Sequence, residues 1–131
     1  MRRLVIVLAL LSAGCGTASP DLFEVKRSGE DRAANLTMVV NDGGRVSCNG
    51  REHELDADRL LTARELRREL AKPAELGIEL PPGPNPVLSY RVRLEAGSVA
   101  FSDTSKGNPE EFLKLAAFTK DVAERVCGIV R

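Results

Sequence analysis

Leu36-Thr37-Met38-Val39-Val40-Asn41-Asp42-Gly43-Gly44-Arg45-Val46-Ser47-Cys48 decides the fold. Successive strand side chains point to opposite faces, so Leu36, Met38 and Val40 share one face of a strand. Asp42-Gly43-Gly44 reads as a hairpin turn, because glycine accepts the positive φ that such turns require. The chain then returns with Val46 and Cys48 inward and Arg45 and Ser47 outward. A strand pair with one apolar and one polar face belongs to an antiparallel sheet that is covered on one side only.

The same alternation extends on both sides of this hairpin. Leu22 to Lys26 reads as a strand, with Phe23 and Val25 on one side and Glu24 and Lys26 on the other, and Ser28 to Arg32 reads as a polar turn. Later in the chain, Leu88, Tyr90, Val92 and Leu94 alternate with Ser89, Arg91, Arg93 and Glu95. Ala96-Gly97 turns the chain, and Val99 and Phe101 continue inward. Arg51 to Leu55 offers at most a further short strand. Two segments have helical spacing instead. Asp56 suits the cap of the first, Asp58 suits its positive first turn, and Ala57, Leu60, Ala63, Leu66 and Leu70 fall on one face. Pro73 is expected to end that helix. Asn108-Pro109-Glu110-Glu111 starts the second, with Asn108 as cap, Pro109 at the first position and Glu111 placed for a capping box. Phe112, Leu115, Ala116, Thr119, Val122, Ala123 and Val126 form its apolar stripe, and Gly128 is placed to end it. The expectation is an α+β domain over residues 22–131: an antiparallel sheet of four to five strands with two helices on one face, in the order βββαββα.

The chain opens Met1-Arg2-Arg3, continues with an apolar run from Leu4 to Leu11, and reaches Ser12-Ala13-Gly14 before Cys15. A charged start, a short apolar core and small residues describe a secretory signal, here residues 1–14. The run falls short of the roughly 20 residues that a permanent membrane helix needs. Small residues followed by cysteine resemble the lipobox of bacterial lipoproteins. That resemblance covers the leader alone. It implies cleavage before Cys15, acylation of Cys15 by palmitate-type chains, and a lipid-anchored tether over residues 15–21 outside the cell membrane. Ser12 stands where that family usually carries Leu, Val or Ile, with Leu11 one place earlier. Ordinary cleavage after Ala18, through Gly16-Thr17-Ala18, stays open as the alternative. It would discard Cys15 and release a secreted protein.

Assigning Cys15 to lipid leaves Cys48 and Cys127 as an even pair in an oxidising compartment, where a disulfide is expected. It would pin the end of the last helix to the sheet. The usual spacing of zinc ligands is missing, so no metal site is expected.

The whole chain holds 19 basic and 19 acidic residues. Removing Arg2 and Arg3 with the leader leaves 17 basic against 19 acidic, a net charge of −2. Such a balance gives no reason to expect nucleic acid as a partner. Aromatic residues make up 4% of the chain, and Trp is absent, which argues against a sugar-stacking platform. His53 is the single histidine. Its neighbours Glu52 and Glu54 would point to the opposite face, so they make poor co-ligands. No Gly-x-Ser-x-Gly elbow and no phosphate-cradling glycine loop occurs, so no catalytic set and no cofactor are expected.

Two surface features stand out as a possible binding surface. Arg45, Arg91 and Arg93 should lie on the open sheet face, with Lys26 on the same face. Residues 79–87, Glu-Leu-Pro-Pro-Gly-Pro-Asn-Pro-Val, form a loop stiffened by prolines including Pro81, Pro82 and Pro84, and a pre-stiffened loop loses less entropy on binding. The reading is a membrane-anchored, non-enzymatic binding or interaction domain of the cell envelope. The alternatives are a secreted protease inhibitor that uses the proline loop and, behind that, an enzyme with a dispersed site. The stretches Asn35 to Gly50 and Phe112 to Gly128 look similar to small secreted domains of actinobacterial type, which bring no activity with them. Subtilisin-inhibitor-like proteins also join an antiparallel sheet to two helices, but they typically brace the reactive loop with a second disulfide. No cysteine flanks Leu80 to Pro86, so no reactive-site residue carries over.

Overall fold

The computed structural model describes residues 19–130. The expected signal peptide, Cys15 and the first part of the tether lie outside the described residues.

The strands are β1 (Asp21–Gly29), β2 (Leu36–Asn41), β3 (Arg45–Cys48), β4 (Arg51–Glu54), β5 (Leu88–Leu94) and β6 (Gly97–Ser102). Helix α1 (Ala57–Glu75) lies between β4 and β5, and α2 (Glu110–Arg125) follows β6. The sheet order is β4-β3-β2-β1-β5-β6, and every neighbouring pair is antiparallel. The register carries the apolar side chains across the sheet on one face. Val25 lies opposite both Met38 and Val92, Met38 opposite Cys48, and Val92 opposite Val99. These residues are buried together with Leu66 and Leu70 of α1 and Phe112, Leu115 and Val122 of α2. Phe118 of α2 meets Phe23 edge-on, and Phe112 stacks on Phe101.

The sheet has six strands, where four to five were expected. The added strand is β4, and Arg51-Glu52-His53-Glu54 contains no apolar residue to produce an alternation. The turn before it forms the hairpin: Asn49 and Gly50 have φ of 51° and 84°. Two consecutive left-handed residues of this type match the twist of a two-residue hairpin. β1 is also longer than expected. It runs on through Arg27 and Ser28 to Gly29, and the connection that follows contains a 3₁₀ turn, Arg32–Ala34.

Helix α1 begins as expected, with the Asp56 carboxylate accepting from the Arg59 amide at 3.0 Å. Pro73 does not end it. Proline in the last turn removes one amide donor while its fixed φ suits the helix, and Ala74, 2% exposed, anchors the turn beyond it. The start of α2 is shifted by one residue. Pro109 is the cap, with extended backbone and no side-chain bond to the helix. The Asn108 side-chain Nδ2 instead donates to the Ser102 carbonyl at 2.9 Å, tying the helix start to the end of β6.

Cys48 and Cys127 form a disulfide, with Cα atoms 6.3 Å apart. It joins the inner face of β3 to the chain just beyond α2. The two helices are joined to each other by ion pairs: Arg59 of α1 donates to Asp121 of α2 at 2.7 Å, and Lys114 of α2 reaches Glu69 of α1 at 3.2 Å. The Arg59 guanidinium holds the Asp121 carboxyl below the usual carboxylate range. A carboxyl whose pKa is depressed by folding stabilises the fold above its unfolded value, and that stability is lost as pH falls through the folded value. In a carboxyl-resolved NMR titration, Asp121 should therefore titrate below about 3.9, the ordinary value for aspartate. Arg59→Gln should raise its midpoint. An ordinary midpoint in the unaltered protein would remove this ion pair from the account of stability.

Candidate functional site

The open face of the sheet carries Glu24, Lys26 and Ser28 of β1, Arg45 and Ser47 of β3, and Ser89, Arg91 and Arg93 of β5. Each alternates with buried neighbours. The three arginines do not converge. β3 and β5 are separated by β2 and β1, which puts Arg45 roughly 14 Å from the β5 pair at one strand spacing per step. Arg45 bonds Glu52 at 3.0 Å, and Arg93 reaches Glu24 at 3.4 Å. Both pairs are solvated, and such pairs contribute little to stability.

Arg91 differs, because the chain after α1 folds back over this end of the open face. Ile78 to Leu80 run along β6: the Leu80 amide donates to the Ala100 carbonyl at 2.8 Å, and the Ala100 amide donates to the Ile78 carbonyl at 3.0 Å. This places Glu79 beside Arg91, at 3.3 Å. It also sets Leu80 and Pro82 against the sheet, closing one side of a depression of about 370 Å³. Lys26, Ser28, Ser89 and Arg91 also line it, together with residues of β5 and β6 that include Tyr90 and Phe101.

The proline loop is braced from below. Its Val87 amide donates to the Asp103 carboxylate at 3.1 Å. Gly83 lies so close to the Thr104 carbonyl that a Cβ built there would stand 2.1 Å from its oxygen. Only glycine fits at that crossing. The 102–108 segment holds its own shape through side chains: the Ser105 hydroxyl accepts from the Ser102 amide at 2.9 Å, and the Ser102 hydroxyl accepts from the Thr104 amide at 3.2 Å. Pro81, Pro82 and Pro84 are exposed on this platform.

Sequence reasoning identified Arg91 and the prolines separately and treated 102–107 only as a lead into the last helix. The fold makes that segment the floor of the proline loop. Sequence reasoning also missed Arg27. It faces inward behind Val25, is 3% exposed, and donates to the Ala34 carbonyl at 2.8 Å. Extending the period-two pattern by one step would have placed it on the covered face. Tyr90 is buried and stacks on Phe101, as its strand phase implied.

His53 lies opposite Val46 on β4, four strands from Arg91. Among the described residues, no group of three or more His, Cys, Asp and Glu side chains is placed to hold a metal ion. Among them also, no helix is long and apolar enough to cross a membrane. No protein-family model, curated protein or solved structure matches this sequence.

Proposed function

We propose that this chain is a lipid-anchored domain of the cell envelope that acts by binding, through the end of the sheet farthest from its anchor. The observation that carries the reading is the polarity of β1. The tether enters at Asp21, while Lys26 and Ser28 lie at the other end of the strand, beside the groove and the proline loop. Seven residues of extended strand place that end roughly 24 Å from Asp21. The tether from Cys15 to Asp21 spans at most about 20 Å. A bilayer anchor at Cys15 therefore keeps the Asp21 end near the membrane and leaves the groove and loop facing outward. Two or more acyl chains suffice to hold such a domain. Binding is favoured over catalysis because the groove's serines have no imidazole within reach, His53 being about 14 Å from Ser28 and about 19 Å from Ser89 across the sheet.

Metabolic labelling with palmitate tests the anchor. Label is expected in the unaltered protein and absent in Cys15→Ser, and mass spectrometry should find the mature terminus at a lipid-modified Cys15. An unlabelled protein with a free terminus at Ser19 would overturn the anchor. The bracing of the proline loop favours a second reading, protease inhibition by residues 79–87, since a loop held in advance loses little freedom on docking. A panel of extracellular serine proteases separates the two readings, and an absence of inhibition removes the second.

A further inference from the structure

We infer that the groove under Leu80 and Pro82 holds the anionic group, a carboxylate or phosphate, of a small ligand whose apolar body rests against those two residues. This rests on the binding reading above and names its ligand class. Lys26 and Arg91 are directly opposite each other on β1 and β5, on the open face. Opposed residues of an antiparallel pair stand about 5 Å apart at Cβ, and like charges in that position repel. Their neighbours do not cancel the charge. Arg91 shares Glu79 through a pair that is more than half exposed on both sides. Lys26 has no carboxylate partner among the described residues. Two cations facing one carboxylate leave a net positive site, and an anion seated between them offsets the repulsion.

The next open-face pair supplies neutral donors. Ser28 and Ser89 are opposite each other, one step along the same strands. Among the described residues neither hydroxyl has a hydrogen-bond partner. Two cations and two hydroxyls on one face of two paired strands match the acceptor oxygens of a carboxylate or phosphate, which take charge-assisted bonds from Lys and Arg. The remaining walls, Leu80 and Pro82, offer carbon surface, so a ligand that carries its anion on an apolar body gains burial that a free inorganic ion does not. The sheet's edges offer less. β4 is short and charged, and Ile78 to Leu80 already cover β6, so both edges are protected against added strands.

The test is a titration of the intact lipidated chain in detergent micelles, followed by amide NMR shifts. The probes are inorganic phosphate, phenyl phosphate and benzoate. Saturable shifts should centre on Lys26, Ser28 and Ser89, and the two aromatic anions should bind more tightly than inorganic phosphate. The stronger of those two identifies the anionic group. Lys26→Gln and Arg91→Gln should each weaken binding about tenfold, the loss expected for one charge-assisted contact. Arg45→Gln removes the same charge elsewhere on the face and should leave binding unchanged. Each variant alters an exposed side chain, and an unshifted amide spectrum before titration shows that its fold is intact. Absence of saturable shifts overturns the inference, and so does an equal loss in Arg45→Gln. Failure here with palmitate labelling intact removes the ligand class and leaves the anchored domain standing.

Discussion

Replacing Cys48 and Cys127 together by alanine should lower the unfolding free energy by about 4–5 kcal/mol. The two residues are 79 positions apart, so their bond removes much of the freedom of the unfolded chain. The chain-entropy relation yields that magnitude for a closed loop of this length. A domain of this size has only about 5–15 kcal/mol in total, so the loss takes about a quarter of it or more. The position of the bond makes the effect local as well as global. Cys48 is buried on β3 and Cys127 follows α2, so cutting the bond frees the end of α2 from the sheet. Guanidinium unfolding of the double variant checks this. The unaltered protein, unfolded in the presence of reductant, should follow nearly the same curve. A difference under about 1 kcal/mol would mean that packing alone restrains the C-terminal segment.

Phe112→Ala should cost about 3–5 kcal/mol, the range for deleting a buried aromatic ring. Phe112 is fully buried, and its centroid lies 4.8 Å from that of Phe101, which in turn lies 4.9 Å from Tyr90. The three rings run from the first turn of α2 onto β6 and β5. Removing the ring at the helix end of this row leaves a cavity that the packed core closes only in part. Phe112→Leu keeps most of the volume and should cost well under half as much. Denaturant midpoints for the pair of variants measure both values. Equal losses would show that the ring's stacking, and not its volume, carries the energy. A loss near zero for alanine would refute the packing described for α2.

Much of this fold was legible because the covered face imposes a period of two. Leu36 to Cys48 and Leu88 to Leu94 show it plainly; the first forms the expected hairpin, and the second pairs across the expected turn with β6. The disulfide followed from the cysteine count, and the inward phase of Cys48 and the position of Cys127 at the end of an apolar stripe agreed with it. β4 was poorly legible because Arg51 to Glu54 lie at the sheet's edge, where nothing covers them and no apolar residue is needed. The turn before β4, Asn49-Gly50, held the missing signal. Pro73 misled because a missing donor costs little in the last turn of a helix, and burial of Ala74 outweighs it. The groove was legible only in parts. Arg91 and Pro82 are nine positions apart, and the link between them depends on Ile78 to Leu80 lying along β6. Backbone bonding to a neighbouring strand leaves no mark in side-chain pattern, so that contact had to come from the fold.

The link between Cys48 and Cys127 also bears on what a cut in the exposed proline loop would do. Residues 81–87 lie inside the stretch that this bond closes. A peptide bond broken there by an outside protease divides the backbone into two pieces but cannot part them. The piece that carries Lys26 stays covalently tied to the piece that carries Arg91, and the strands on either side of the break remain paired. The molecule can thus be nicked at its exposed proline loop without shedding either half.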